Sequence, residues 1–227
     1  MKSFYKDKLK VNIYQNRSLM GEGAAKDIKA KIMELLSKKE RINMIFAAAP
    51  SQNDVLKALV EDSEIQWNRI NAFHMDEYIG LKASAPQAFG NFLKEHIFGL
   101  VNFASVNYID VTATDPEKEA QRYAELLKNN PIDIVVMGIG ENGHIAFNDP
   151  PVADFKDKKL VKAVELDGIC RQQQVNDGCF ESLEKVPTHA MTLTVPALVK
   201  APYLLKIILE HAPSFYDLKK QYIVVHL

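Results

Sequence analysis

The 227-residue chain is 47% hydrophobic and 25% charged, the balance of an ordinary globular domain large enough to bury a core without disulfides or structural metal. Its 28 Lys and Arg nearly cancel 29 Asp and Glu, which gives no general attraction to nucleic acid or anionic membrane. No apolar stretch approaches bilayer length, the charged start (residues 1–8) lacks a signal-peptide core, and Cys170 and Cys179 form neither a CxxC pair nor a zinc spacing, so a cytoplasmic protein with reduced thiols is expected.

In chain order, strand-like runs alternate with helix-like runs. Val11–Tyr14 predicts a short strand. Residues 21–38 place Ala24, Ala25, Ile28, Ile32, Leu35 and Leu36 at helical spacing. Ile42–Ala49 is apolar except for Asn43, as in a strand buried on both faces of a parallel sheet. A helix over Asp54–Val60 and a strand over Ile70–Met75 follow. Phe89–Phe98 predicts a helix and Val106–Ile109 an extended segment. Pro116–Lys128 predicts a helix with Thr114 as N-cap and Asp115 and Pro116 in its first turn. Ile132–Met137 has the pattern of a buried strand, and further strands are expected at Leu160–Leu166, Ala190–Val195 and Leu204–Leu209.

This alternation predicts one α/β domain over residues 1–227, with a Rossmann-like, doubly wound, mostly parallel sheet between helical layers. Ligands in such folds sit beyond the carboxyl ends of the strands. Three strand ends carry unusual residues: Pro50-Ser51-Gln52-Asn53, then His74-Met75-Asp76-Glu77, then Gly138 to Asp149.

The third segment reads GxGxxGH, with Gly138, Gly140 and Gly143 ahead of His144. It is neither a dinucleotide fingerprint followed by a long helix nor a Walker loop. It reads equally as a Gly-rich turn with a surface histidine or as a ligand loop with an acid–base imidazole, oriented by Glu141 or Asp149. Asp76 and Glu77 are paired carboxylates suited to proton abstraction, or acids favoured at a helix N-terminus. Both loops are expected on one sheet edge, which joins them as a site. Ser51, Gln52 and Asn53 suit an anion site at a helix start, or an ordinary cap.

Residues 73–81, Phe-His-Met-Asp-Glu-Tyr-Ile-Gly-Leu, resemble the MDEYxGL segment of the glucosamine-6-phosphate deaminase/isomerase family. Residues 137–150 resemble its GxGxDGHIAFNEP segment, and Val186-Pro187 with Ala190–Val195 resemble its VPxxALTxG stretch. The resemblance runs from about Asn12 to about Val199. It implies a hexose 6-phosphate substrate, Asp76 as the group that moves the C2 proton, and His144 as the group that opens the sugar ring. It implies an amino sugar phosphate converted to a ketose phosphate and ammonia with no metal or organic cofactor. A homo-oligomer is an open expectation, because related enzymes are monomers or hexamers.

Departures accompany the resemblance. Asn142 stands where the family has aspartate and Asp149 where it has glutamate, and both normally tune the histidine. Ser51-Gln52-Asn53 replaces a Gly-Gly-Thr phosphate loop. Together with Gly140 and Gly143 these residues form the expected substrate-binding set, and Arg171 is a candidate phosphate ligand in a poorly matching segment. From about Lys206 onward the sequence departs most, with no lysine in the family's phosphate position, and an altered or truncated C-terminus is expected. Two other functions compete: a 6-phosphogluconolactonase-like hydrolase, and a non-catalytic sugar-phosphate-binding paralogue.

Overall fold

The computed structural model describes residues 1–140, 142–176, 178–208 and 222–226. Its elements are β1 (Lys2–Lys6), β2 (Leu9–Tyr14), α1 (Arg17–Leu36), β3 (Ile42–Phe46), α2 (Asn53–Val60), β4 (Ile70–His74), β5 (Asp76–Tyr78), α3 (Phe89–Leu93), β6 (Ser105–Asn107), α4 (Pro116–Asn129), β7 (Ile134–Gly138), β8 (Val161–Glu165), α5 (Gly168–Asn176), β9 (His189–Leu193), α6 (Val195–Val199), β10 (Tyr203–Ile208) and β11 (Tyr222–His226).

The main sheet has the order β1-β2-β11-β10-β7-β3-β4-β6. Strands β10, β7, β3, β4 and β6 run parallel. Strands β11, β2 and β1 extend the edge antiparallel. Successive crossovers run one way from β3 to β4 and the other way from β7 to β10, so the topology switches between β3 and β7. A switch point opens a crevice at the strands' carboxyl ends, where ligands bind in such folds.

Core packing explains why the buried strands were visible in the sequence. Ile42, Met44 and Phe46 of β3 face α1 and α2, packing with Ile28, Ile32, Val55 and Leu59. Ile45 faces the other layer with Val135 and Met137 of β7, Tyr123 and Leu127 of α4, and Leu198 of α6. Both faces are covered, so the strands are apolar at almost every position. Each fully buried aliphatic side chain contributes about 1.5–3 kcal/mol.

The structure departs from the sequence expectation in several places. The N-cap of α4 is Asp115, not Thr114; its side chain accepts from Lys118 N at 3.1 Å. Asp115 precedes a proline, which keeps it extended, as an N-cap requires. The expected helix over Phe89–Phe98 is α3 followed by a π-helical turn at Lys94–Phe98. The antiparallel edge and a second, three-stranded antiparallel sheet, β5-β9-β8, were not anticipated. Of the departing C-terminal region, β10 pairs with β7 and β11 sits between β10 and β2, while residues 209–221 and Glu141 lie outside the described residues. Among the described residues, no helix is long and apolar enough to cross a membrane.

Candidate active site

The chain leaves the main sheet at the end of β4, and a histidine fixes that exit. Ile109 N–H donates to His74 Nε2 at 2.9 Å, so the ring proton sits on Nδ1, which donates to the Asp76 carbonyl at 2.9 Å. Burial holds His74 down to about 4, so the ring is neutral. The Tyr123 hydroxyl bridges the His74 amide and carbonyl at 3.0 and 2.9 Å. His74 and Tyr123 therefore brace the bend into β5.

Beyond the bend, β5 pairs with β9, with Asp76 opposite Thr192. Strand alternation then separates the two carboxylates. Asp76 lines a cavity, and Glu77 does not. Glu77 Oε1 accepts from Tyr78 N and Phe89 N at 2.9 Å each, and its Oε2 from Gly90 N at 2.8 Å. These donors hold the start of α3 against β5. Burial pushes Glu77 up to about 7 against the pull of those three bonds. For Asp76, burial and then the charge of Glu77 push its carboxyl well above the usual aspartate value. The expected acid pair is thus one cavity carboxyl and one buried brace.

The loop after β7 is built around His144. A Cβ at Gly140 would lie 2.2 Å from His144 Cε1 and 2.4 Å from Nε2, so the ring lies directly over a position that only glycine can fill. Gly143 has φ +87°, a conformation that favours glycine. Its N–H donates to Gly140 O at 2.9 Å, and Gly140 N–H donates to His144 O at 2.9 Å, closing the turn. Asn142 Oδ1 accepts from the His144 backbone N–H at 3.0 Å and lies 2.6 Å from its Nδ1. Asp149 Oδ1 lies 3.1 Å from the same nitrogen and accepts from Asn142 Nδ2 at 2.8 Å. Two oxygen acceptors fix the proton on Nδ1 and leave Nε2 as a base. Burial works to raise Asp149, but the hydrogen bonds from His144 and Asn142 outweigh it and hold the carboxyl below its ordinary value. Asn148 anchors the loop through Leu193 O at 2.8 Å, and Thr192 Oγ1 accepts from Phe147 N at 3.1 Å.

At the first strand end, a 3-10 turn over Pro50–Gln52 runs straight into α2. Arg17 ties it down by pairing with Asp54 and donating to the Pro50 carbonyl. Ser51 lines the cavity. Gln52 is fully buried and its Nε2 donates to Ser51 Oγ at 3.0 Å, leaving the serine hydroxyl proton for another acceptor. Neither Gln52 nor Asn53 supplies a side-chain cap to α2.

Asp76, His144, Gly140 and Ser51 line one cavity of about 450 Å³ at the β3–β7 switch point. That volume is in the range of small-molecule sites. Asn142 and Asp149 stand behind His144, and Glu77 behind Asp76. Gly143, Gln52 and Asn53 are not among the lining residues. Arg171 is placed elsewhere: its Nη2 donates to Leu183 O at 2.7 Å and Val186 O at 2.9 Å, and it does not line the cavity. The expected phosphate ligand is therefore a clamp on the segment before β9. Among the described residues that line the cavity there is no lysine or arginine. Sequence reasoning missed its apolar and amide walls, Phe89, Phe147, Gln87, Gln173 and Gln174. The run Gln172–Gln174 was their one visible signal.

The model of the family described as glucosamine-6-phosphate isomerases/6-phosphogluconolactonase matches residues 15–212. The chain belongs to this family. It is 34% identical over 174 residues to a glucosamine-6-phosphate deaminase of Listeria monocytogenes serotype 4a, covering 75% of this chain and 72% of that protein. It is 31% identical over 170 residues to one from an Exiguobacterium species, covering 75% of this chain and 65% of the relative. The matched region thus spans only about two thirds to three quarters of those relatives. A monomeric glucosamine-6-phosphate deaminase superposes with TM-score 0.73 at 24% identity, covering 84% of this chain and 78% of that one, which supports the Rossmann-like fold of the family.

Proposed function

We propose that this family member is an aminosugar-phosphate deaminase/isomerase that converts an amino hexose 6-phosphate, such as glucosamine-6-phosphate, and water to a ketose 6-phosphate and ammonia. The observation that carries the reading is that Asp76 and His144 line the same cavity. His144 presents Nε2 to the cavity as a base while Asn142 and Asp149 hold Nδ1–H. That is the tautomer needed to take the anomeric hydroxyl proton and open the ring. Asp76, as carboxylate, then takes the C2 proton of the open-chain aldehyde and delivers it to C1. The resulting ketose imine adds water and releases ammonia. Burial raises the proton affinity of Asp76, which makes it a stronger base once ionised.

The phosphate end falls to Ser51 and the backbone of Ala49 and Pro50, in the turn that leads into α2. Among the described lining residues, the Ser51 hydroxyl is the hydrogen-bond donor available to a phosphate at this end. The sugar lies between the amide wall of Gln87 and Gln173 and the aromatic floor of Phe89 and Phe147.

The test follows ammonia released from glucosamine-6-phosphate, with acid released from 6-phosphogluconolactone in parallel. Ammonia release that disappears in Asp76→Asn is the expected result. Acid release without ammonia transfers the assignment to a lactonase. Saturable sugar-phosphate binding with neither product makes the chain a binding protein.

A further inference from the structure

Behind the cavity, His144 Nδ1, an Asp149 carboxylate oxygen and Cys170 Sγ lie within 4.8 Å of one another. Cys170 and Asp149 are sealed from solvent, at 0% and 1% exposure. Asp149 Oδ1 is occupied by Asn142 and His144, but the buried Oδ2 has no hydrogen-bond partner of ordinary geometry among the described residues. A buried carboxylate oxygen whose one partner is the Cys170 thiol, beside an imidazole nitrogen, forms a nitrogen–oxygen–sulfur donor set that a metal can take over when the thiol proton leaves. Of the three donors, His144 is the one that borders the cavity.

We propose that His144, Asp149 and Cys170 form an inhibitory site for a thiophilic divalent cation of the zinc class. One nitrogen, one carboxylate oxygen and one thiolate suit zinc or cobalt(II), with water or Asn142 Oδ1 as fourth ligand. Magnesium and calcium, which prefer all-oxygen shells, are poor occupants. Zinc bonds of about 2.0–2.3 Å require the three donor atoms, which lie within 4.8 Å of one another, to close in.

The coordination chemistry carries a consequence for His144. Metal bound at Nδ1 displaces the proton that Asn142 and Asp149 hold there. The Cys170 S–H bond breaks as the S–metal bond forms, and the thiol proton goes to solvent. The imidazole keeps one proton, now on Nε2, so the nitrogen facing the cavity changes from acceptor to donor. The metal therefore removes the cavity base without entering the sugar site. This inhibition, unlike the binding, rests on the proposed ring-opening role of His144.

The purified full chain is titrated with cobalt(II) after chelation. The expected result is a near-ultraviolet thiolate-to-cobalt band that saturates at one equivalent. It is lost in Cys170→Ser and kept in Cys179→Ser, and zinc competes for the site. Loss of the thiolate weakens binding by at least the roughly 10–100-fold that outer-shell partners are worth. Nitrogen-15 spectra of the wild-type histidines report the move of the His144 proton from Nδ1 to Nε2 on adding zinc, so the idea stays testable if the serine variant misfolds. Where deamination is measurable, zinc suppresses it in the wild type at least 10-fold more than in Cys170→Ser. No thiolate band, a band that survives Cys170→Ser, or an unchanged His144 tautomer overturns the proposal. A protein that binds cobalt as expected but never releases ammonia refutes the deaminase reading alone.

Discussion

Replacing Asn142 with aspartate, the residue the family resemblance places there, separates charge from geometry at His144. In the structure the Asn142 amide nitrogen sits 2.8 Å from Asp149 Oδ1 and donates to it. In Asn142→Asp a second carboxylate oxygen takes that nitrogen's place. Two anions 2.8 Å apart at an effective dielectric constant of about 20 repel by about 6 kcal/mol. Holding a proton at pH 7 on a carboxyl of ordinary affinity costs about 4 kcal/mol. Repulsion wins, so the folded cluster keeps one proton more than the unfolded chain at neutral pH. That proton rests between the two carboxylates, where the unfolded chain holds none at this pH. The folded pKa is raised above the unfolded one, so stability is intact below the unfolded value and falls as pH rises towards the folded value. Relative to wild type, the variant loses about 1.4 kcal/mol per pH unit between pH 5 and pH 7. The melting temperature should therefore fall behind wild type by about 3–6 °C per pH unit. Thermal unfolding across that range measures the gap. A gap that does not change with pH refutes the geometry of the Asn142–Asp149 contact.

Three further outcomes follow. Asp76→Asn should cut turnover by about 10²–10⁴-fold. It should also raise stability at neutral pH, because burial and the Glu77 charge hold the Asp76 carboxyl well above its ordinary value, read as a higher melting temperature. In the wild type the rate needs ionised Asp76, so the acid limb of the pH–rate profile should fall well above the ordinary aspartate value; a limb near that value refutes the assignment. Gly140→Ala places a methyl 2.2 Å from His144 Cε1 and should displace the ring, lowering kcat by about 100-fold with a smaller change in KM. Arg171→Ala should cost about 3 kcal/mol by leaving the Leu183 and Val186 carbonyls without their charged donor, with KM for the sugar phosphate unchanged. A large rise in KM at constant stability would return Arg171 to the phosphate.

What the sequence made legible depends on where burial is two-sided. Ile42–Phe46 and Ile134–Met137 are covered on both faces and read as continuous apolar runs. β1 is exposed along its whole length, so no pattern marks it. α5 is rich in glutamine, with only Cys170 and Gln174 buried, and lacks the apolar repeat that identifies α1. At the site, the adjacency of Asp76 and Glu77 suggested a working pair. Once residues 76–78 form a strand, a period of two sends neighbours to opposite sides. The structure departs from the expected pair in its local conformation: Asp76 lines the cavity and Glu77 is turned away from it. Arg171 misled for a different reason. It was a candidate only through a poorly matching family segment, and tertiary packing reveals that two carbonyls already occupy its guanidinium.

Asn142 and Asp149 are best understood as one unit. A carboxylate at position 142 beside Asp149 would leave two oxygens competing for one proton. With asparagine, each contact is complementary: the amide nitrogen donates to Asp149, and the amide oxygen accepts from the His144 backbone and faces its Nδ1. The arrangement keeps the orientation of the ring while placing a single anion beside it. Orientation sets which nitrogen reaches the cavity, and charge sets how tightly that nitrogen holds a proton. A histidine so placed remains a directed base. On the proposed roles, ring opening by His144, rather than proton transfer by Asp76, is the step on which Asn142 and Asp149 bear.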